Sequence, residues 1–207
     1  MYALVIDNKI TKYFSYPKGF TLNDLQYSKD IFTKWSVEEK EAIGIYEVVF
    51  NNSNKKDEKW YINTNQSFNF ANDTVTASYG TATPKAHADV DAVDKDGVAL
   101  LDEKGKQVVT RGLKYNLIQT IKDQAAGLLA PTDWYVVKAT EIEDYSVPDD
   151  ITTFRALVRS KSNDMETQIT NATDTPALET LYLYTNIGTE ENPVYARPLA
   201  ELPTLEI

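Results

Sequence analysis

The chain has 207 residues, of which 42% are hydrophobic and 25% charged, so it is long enough for one large or two small globular domains. Its formal net charge of -10 disfavours nucleic acid as a partner, because phosphates would on average be repelled. The chain contains no cysteine and a single histidine, His87, which excludes disulfides, thiolate nucleophiles and most metal sites, and we expect no cofactor and no metal.

Residues 1–65 predict a small α+β module that begins with a hairpin. Residues 3–7 and 10–16 are rich in Val, Ile, Tyr and Phe, and they flank Asn8-Lys9, which is the pattern of two short antiparallel strands. Thr21 is then expected to cap a short helix.

A second short helix in this module is marked at both ends. Ser36 followed by Glu39 has the spacing of a capping box, and Gly44 is expected to end the helix. Residues 45–50 predict a strand, and residues 60–62 resemble the returning strand of a hairpin.

Residues 66–111 are rich in Asn, Thr, Ala, Ser and Asp and have poor periodicity. They predict an extended linker, or an arm that packs on a partner, because so long an irregular segment is unusual inside a compact domain. Within it, Phe68, Phe70 and Val75 indicate an extended segment. Residues 98–102 and 106–110 form a plausible hairpin around Glu103-Lys104-Gly105. No repeat at a fixed period is expected.

An acidic stretch within this segment superficially resembles a calcium loop. Asp94 and Asp96 precede Gly97 at the spacing of such a loop, and Glu103 falls at its twelfth position. The first position, however, is taken by Ala92, which offers no oxygen ligand from its side chain. We therefore interpret the stretch as a solvated acidic turn.

Residues 112–186 predict a helical domain, a helical hairpin or small bundle, that begins with one apolar stripe. The stripe recurs at spacings of three and four and consists of Leu113, Leu117, Ile121, Ala125, Leu128 and Leu129. Pro131 ends it, and a short element follows at residues 134–139. Trp134 is expected to be a buried anchor of this junction, whose replacement by Ala would destabilise the fold strongly.

A longer helix is predicted to begin near Pro148, and a last one is predicted from Thr175 to Tyr184. The apolar stripe of the longer helix consists of Ile151, Phe154, Leu157, Val158, Met165 and Ile169. Arg155 and Arg159 are expected on its other faces. Residues 187–207 contain three prolines and predict an extended tail.

Tyrosine is the aromatic residue most suited to interfaces, because it combines contact area with a hydrogen bond at a small entropy cost. The chain has 13 tyrosines, and Tyr182, Tyr184 and Tyr195 form the best candidate contact surface. In the alternative interpretation Tyr182 faces the local core, while Tyr184 and Tyr195 pack the tail back onto it.

One stretch of the helical domain resembles a known family. The sequence LLAPTDWYVVKATEIEDYSVPDDITTFRALVRSKSNDMETQI is similar to the carboxyl-terminal helical segment of small phage proteins that are encoded beside tail-fibre genes. The shared features are Thr-Asp-Trp-Tyr at 132–135, Pro148, and Phe-Arg-x-x-x-Arg at Phe154, Arg155 and Arg159. These proteins are described as tail-fibre assembly proteins or tail-associated virion proteins.

The amino-terminal part also resembles this family at Gly44-Ile45-Tyr46-Glu47-Val48, so that the likeness covers about half of the chain. The family has no known catalytic residues, so the resemblance implies none. It implies a protein that binds other tail or tail-fibre proteins, with Arg155 and Arg159 as candidate contact residues beside the three tyrosines.

We therefore expect an α+β, non-enzymatic phage tail adaptor at the baseplate or the tail-fibre attachment. It would be oligomeric within its assembly and located in the virion, and in the host cytoplasm during assembly. One alternative is a fibre-assembly chaperone that is not retained in the virion, and another is a carbohydrate-binding tail protein. No signal peptide and no membrane-spanning segment is expected, since no run of 18 apolar residues occurs.

Overall fold

The computed structural model describes residues 1–64 and 66–204. The chain is α+β, as predicted, and divides into two compact units, Met1–Thr83 and Pro84–Ile207. The first unit is built on a five-stranded sheet, and the second contains the long helices.

The elements of the first unit follow one another closely along the chain. They are β1 (Tyr2–Ile6), β2 (Lys9–Phe14), β3 (Phe20–Leu22), β4 (Leu25–Tyr27), α1 (Ile31–Lys34), α2 (Val37–Ala42), β5 (Ile45–Asn51), β6 (Tyr61–Ile62), β7 (Ser67–Ala71) and β8 (Thr74–Ser78), with β9 (Thr83–Pro84) at the boundary.

The five-stranded sheet has the order β2-β1-β5-β8-β7, and β8 runs parallel to β5 while the other neighbours are antiparallel. The prediction of a linker was therefore wrong for residues 67–78, which form two strands of this sheet. Val75 and Ala77 are almost fully buried and alternate with polar residues, which is the pattern of a strand with one buried face. β6 lies outside this sheet, so its predicted pairing with the preceding strand was also wrong.

Each face of the sheet carries a buried apolar cluster, and β1 contributes side chains to both. One cluster contains Leu4, Phe14, Phe20, Ile31, Phe32 and Ile45. The other contains Ala3, Val5, Val48, Val75 and Ala77.

Pairs of Asn and Asp residues close the hairpins of this unit. Asp7-Asn8, Asn23-Asp24 and Asn72-Asp73 all have positive φ at both residues, as two-residue primed turns require. The first hairpin was predicted, with its tip one residue later. The helix expected after Thr21 was wrong, because Asn23-Asp24 turns the chain back and pairs β3 with β4.

The predicted signals around α2 are confirmed. Ser36 Oγ accepts the Glu39 N–H at 3.2 Å, and the Glu39 carboxylate accepts the Ser36 N–H at 2.8 Å. Gly44 follows the helix with φ +79°, and a β-carbon there would lie 2.3 Å from the carbonyl oxygen of Val5. Glycine is therefore required where the chain enters β5.

The second unit begins with short strands and continues with helices. Its elements are β10 (Val90–Asp91), β11 (Val109–Thr110), α3 (Leu113–Leu129), a 3₁₀ turn (Ala130–Thr132), α4 (Asp133–Glu141), α5 (Asp149–Asn171), α6 (Thr175–Tyr182), β12 (Thr185–Asn186) and β13 (Tyr195–Ala196).

Helices α3 and α5 pack against each other through the predicted stripes. Ala125 of α3 and Phe154 and Val158 of α5 form a buried cluster, and Leu202 packs on it. The stripe of α5 is confirmed except at Leu157, which is 43% exposed.

Two expectations were wrong, one for the helical domain and one for the tail that follows it. Trp134 is not buried but 51% exposed, because α4 lies on the surface and has no buried residue. Residues 187–196 are not extended, since Thr185 pairs with Ala196 and Asn186 with Tyr195 in a hairpin.

Candidate protein-binding surface

Two of the predicted tyrosines meet at one arginine. Tyr182 ends α6 and is partly buried, whereas Tyr184 is 50% exposed. The Arg197 guanidinium lies over both rings, 5.5 Å from the Tyr182 centroid and 5.4 Å from the Tyr184 centroid. Sequence reasoning missed Arg197, although Tyr182-x-Tyr184 and Tyr195-x-Arg197 both have the period-two spacing of strands.

A carboxylate completes this tyrosine cluster, which we define as Tyr182, Tyr184, Arg197 and Glu201. The Tyr184 hydroxyl donates a hydrogen bond to Glu201, whose carboxylate lies 3.6 Å from Arg197 Nε. This hydrogen bond to Glu201 raises the pKa of Tyr184, and burial raises the pKa of Tyr182. Both tyrosines are therefore neutral near physiological pH.

The hairpin between β12 and β13 is held by its own polar groups. Asn186 Oδ1 accepts the N–H of Gly188 at 2.9 Å and that of Val194 at 3.0 Å, and the Ile187 N–H donates to the Val194 carbonyl at 2.7 Å. A β-carbon at Gly188 would lie 2.4 Å from the Asn192 carbonyl oxygen, so the loop admits only glycine there without rearrangement.

The same hairpin exposes large apolar side chains. Ile187 is 68% exposed and Tyr195 is 66% exposed. Together with Leu183, Tyr184 and Val194 they form what we call the C-terminal apolar surface. Several large apolar residues exposed on one ordered element are typical of protein interaction sites.

The chain after the hairpin is fixed to the helices. Leu199 is fully buried, and its N–H donates to the Leu181 carbonyl at 2.9 Å. Leu202 contacts the cluster between α3 and α5. The hairpin is therefore anchored on both sides, which lowers the entropy that a partner must remove on binding.

The two predicted arginines lie on α5 and differ from each other. Arg155 was expected on an outer face and is instead buried, because its Nη1 reaches the Leu129 carbonyl at 3.0 Å and Asp133 at 2.8 Å. Arg159 is exposed, with Nη1 3.5 Å from the Arg155 carbonyl oxygen. The structure thus gives Arg155 a role inside the unit and leaves Arg159 accessible.

The acidic stretch has a local structural role. Asp94 Oδ1 accepts the N–H groups of Asp96 and Val98, at 2.8 and 2.9 Å. Across residues 1–64 and 66–204 no group of three His, Cys, Asp or Glu side chains could hold a metal ion. In that same part of the chain, no helix has the length and apolarity to cross a membrane.

No protein-family model, curated protein or solved structure matches this chain. The candidate surface therefore rests on its own geometry, namely an anchored hairpin that presents apolar and tyrosine side chains to solvent.

Proposed function

We propose that this chain is a non-enzymatic adaptor that binds other proteins in a bacteriophage tail, at the baseplate or the tail-fibre attachment. The C-terminal apolar surface supports protein binding, because Ile187 and Tyr195 are exposed on an anchored hairpin. The phage-tail setting follows from the sequence resemblance of residues 128–169. Under this proposal the chain is located in the virion, where it is part of an oligomeric assembly.

The chemistry of the surface indicates the kind of partner. Full burial of a large aliphatic side chain contributes about 1.5–3 kcal/mol, so burial of the exposed parts of Ile187 and Val194 would favour binding. Tyr195 adds a residue type that is enriched at binding hot spots. Glu190 and Glu191 are exposed in the loop of the same hairpin. A partner with an apolar groove bordered by Lys or Arg would be complementary to both features.

The test is incorporation of single variants into phage particles, measured by mass spectrometry. We expect Tyr195→Asp to lower the amount of the chain per particle, because a charge would be buried at the interface. Tyr16→Asp is the matched control, since Tyr16 is 65% exposed and Tyr195 is 66% exposed. Equal incorporation of the two variants would exclude the C-terminal surface as the attachment site.

The alternative is a fibre-assembly chaperone that uses the same surface and leaves before the particle is complete. The exposed hairpin favours this function as well, since a chaperone also needs an apolar surface for its client. The two proposals differ in one measurement. A stoichiometric amount of the chain in purified particles supports the adaptor, whereas its absence, together with loss of fibres in the Tyr195→Asp variant, supports the chaperone.

A carbohydrate-binding function is favoured by one observation in the first unit. Tyr27 and Trp35, with Asp30 beside them, line a groove of about 380 Å³. Aromatic faces bordered by polar groups suit sugar rings. Titration of purified host envelope glycans, with Trp35→Ala as the variant, tests this function, and absence of binding by the unaltered chain would remove it.

A further inference from the structure

Residues 90–113 contain three segments of eight residues with equivalent backbone hydrogen bonds, VDAVDKDG, VALLDEKG and KQVVTRGL, which begin at Val90, Val98 and Lys106. The first two also share Val, Asp and Gly at positions one, five and eight, so the expectation of no repeat was wrong. The first two end in Gly97 and Gly105, both with positive φ. The short period and the altered third copy conceal the repeat in the sequence.

The backbone of the repeats closes a ring of three hydrogen bonds. The Ala92 N–H donates to the Val108 carbonyl at 2.8 Å, the Leu100 N–H to the Ala92 carbonyl at 2.9 Å, and the Val108 N–H to the Leu100 carbonyl at 2.8 Å. These residues occupy the same position in each repeat. Short antiparallel pairings surround the ring: Val90 with Thr110, Asp91 with Val109, Val93 with Ala99, and Leu101 with Gln107. We call residues 90–110 the three-armed β region.

Two of the arms end in equivalent turns. Asp94 Oδ1 accepts the N–H groups of Asp96 and Val98, and Asp102 Oδ1 accepts those of Lys104 and Lys106 at 2.9 Å. The arms are therefore ordered by the same contacts, and equivalent positions of the repeat can be compared directly.

This region is fixed to the helical unit and yet exposes apolar residues. Asp89 accepts the Gly112 N–H at 2.8 Å and pairs with Arg111 at 2.6 Å, at the start of α3. The exposed apolar side chains are Val90, Val93, Val98, Leu100, Leu101 and Val108. Such a patch on an ordered element is typical of an interface.

The charges at the turn tips are opposite at equivalent positions. The sixth residue of the repeat is Lys95 in the first arm and Glu103 in the second, and the seventh is Asp96 in the first and Lys104 in the second. All four residues are exposed. Two such regions related by a two-fold axis, with the first arm of one facing the second arm of the other, would place opposite charges together at every one of these positions.

From this self-complementarity we propose that two copies of the chain associate through their three-armed β regions. Lys95 would face Glu103 of the partner subunit, Asp96 would face Lys104 of the partner subunit, and the apolar residues around Leu100 would be buried between the copies. The net charge of -10 on each copy opposes association, but at physiological ionic strength it is screened beyond about 8 Å. Whether the copies associate is therefore decided by the attraction within the close charge pairs and by the burial of the apolar residues. The three-armed β region and the C-terminal apolar surface share no residue, so the two proposed contacts can be tested separately.

The first test is sedimentation velocity of the full chain over a concentration series. We expect a reversible dimer whose dissociation constant rises by about tenfold or more in Leu100→Asp, because the charge would be buried at the interface. Leu157→Asp is the matched control, since both leucines are 43% exposed. A monomer at every concentration, or equal weakening by the two variants, would overturn the proposal.

Charge exchange tests the arrangement without removing apolar contacts. Lys95→Glu should weaken the dimer, because the introduced carboxylate would face Glu103 of the partner subunit, and Glu103→Lys should weaken it likewise. The double variant restores opposite charges and should restore the dissociation constant. Circular dichroism checks that each variant is folded. Failure of the double variant to restore association would overturn the proposed two-fold pairing.

Discussion

The guanidinium of Arg155 donates a hydrogen bond from Nη1 to Oγ1 of Thr132 at 2.5 Å, and both side chains are buried. Thr132 Oγ1 in turn donates to the Leu129 carbonyl at 2.7 Å, which Arg155 Nη1 also contacts. A helix end leaves carbonyl groups without partners within the helix. Arg155 of α5 therefore completes the end of α3, and Asp133 balances its charge.

Replacement of Arg155 should thus destabilise the second unit. We expect Arg155→Met to cost about 2–4 kcal/mol, because the Leu129 carbonyl and Thr132 lose a buried charged donor. Arg159→Met should stay within about 0.5 kcal/mol, since Arg159 is exposed. Urea unfolding followed by circular dichroism measures both. Equal losses of stability would contradict the role of Arg155.

Two of the three tryptophans, Trp60 and Trp134, should respond differently to truncation. Trp60 is 3% exposed, and Trp60→Ala is expected to cost about 3–5 kcal/mol, as deletion of a buried aromatic ring does. Trp134 is 51% exposed, so Trp134→Ala should cost less than about 1 kcal/mol. Chemical denaturation compares them, and a large loss in Trp134→Ala would contradict the exposed position of α4.

Glycine replacements should have opposite effects at two sites. Gly188→Ala places a β-carbon against the Asn192 carbonyl and should open the hairpin, which hydrogen exchange of the Ile187 N–H would report as faster exchange. Gly127 lies within α3 with open space around it, so Gly127→Ala should stabilise the unit by about 0.5–1 kcal/mol. Unchanged exchange in Gly188→Ala would contradict the close approach.

The contact of Asp89 with Gly112 and Arg111, which joins the three-armed β region to α3, should be sensitive to acid. The hydrogen bond from the Gly112 N–H, and then the one from Arg111, hold the pKa of Asp89 below its usual range. A carboxyl with a lower pKa in the folded state stabilises that state above the unfolded pKa and loses the effect as the pH falls through the folded pKa. The stabilisation is therefore complete above about pH 5, begins to fall near the ordinary aspartate value of about 4 and is lost as the pH passes below the lowered pKa of Asp89.

Asp89→Asn tests this dependence, because it keeps the shape of the side chain and removes its charge. We expect the variant to unfold at a lower temperature than the unaltered chain at pH 7, and the difference to shrink as the pH falls below the ordinary aspartate value of about 4. Thermal unfolding at several pH values measures it. A constant difference across the series would show that the charge of Asp89 has no part in anchoring the region.

Local patterns predicted the elements that depend on local contacts. The capping box of Ser36 and Glu39 and the stripe of α5 were both found from spacing alone, because the residues that form them are close in sequence. For β7 and β8 the sequence predicted only an extended segment at Phe68, Phe70 and Val75. Their place in the sheet was missed, since β5, the partner of β8, is distant in sequence and Ser, Thr and Asn hide the alternation.

The candidate surface was predicted only in part. Tyr184 and Tyr195 are exposed, as a contact surface requires, but Arg197 was missed because its role depends on the hairpin that brings it back to α6. Arg155 was placed on an outer face because arginine is seldom buried. Its burial becomes evident only once the end of α3 lies beside α5.

The parallel pairing of β5 with β8 also bears on the order in which the chain is synthesised. Until residues 74–78 leave the ribosome, β5 is an open strand edge, and Val48 has no cover from Val75. A nascent chain that stops near residue 65 would carry this unprotected edge into the crowded cell. An expression fragment that stops at Thr83, after the last strand has emerged, would keep it sheltered.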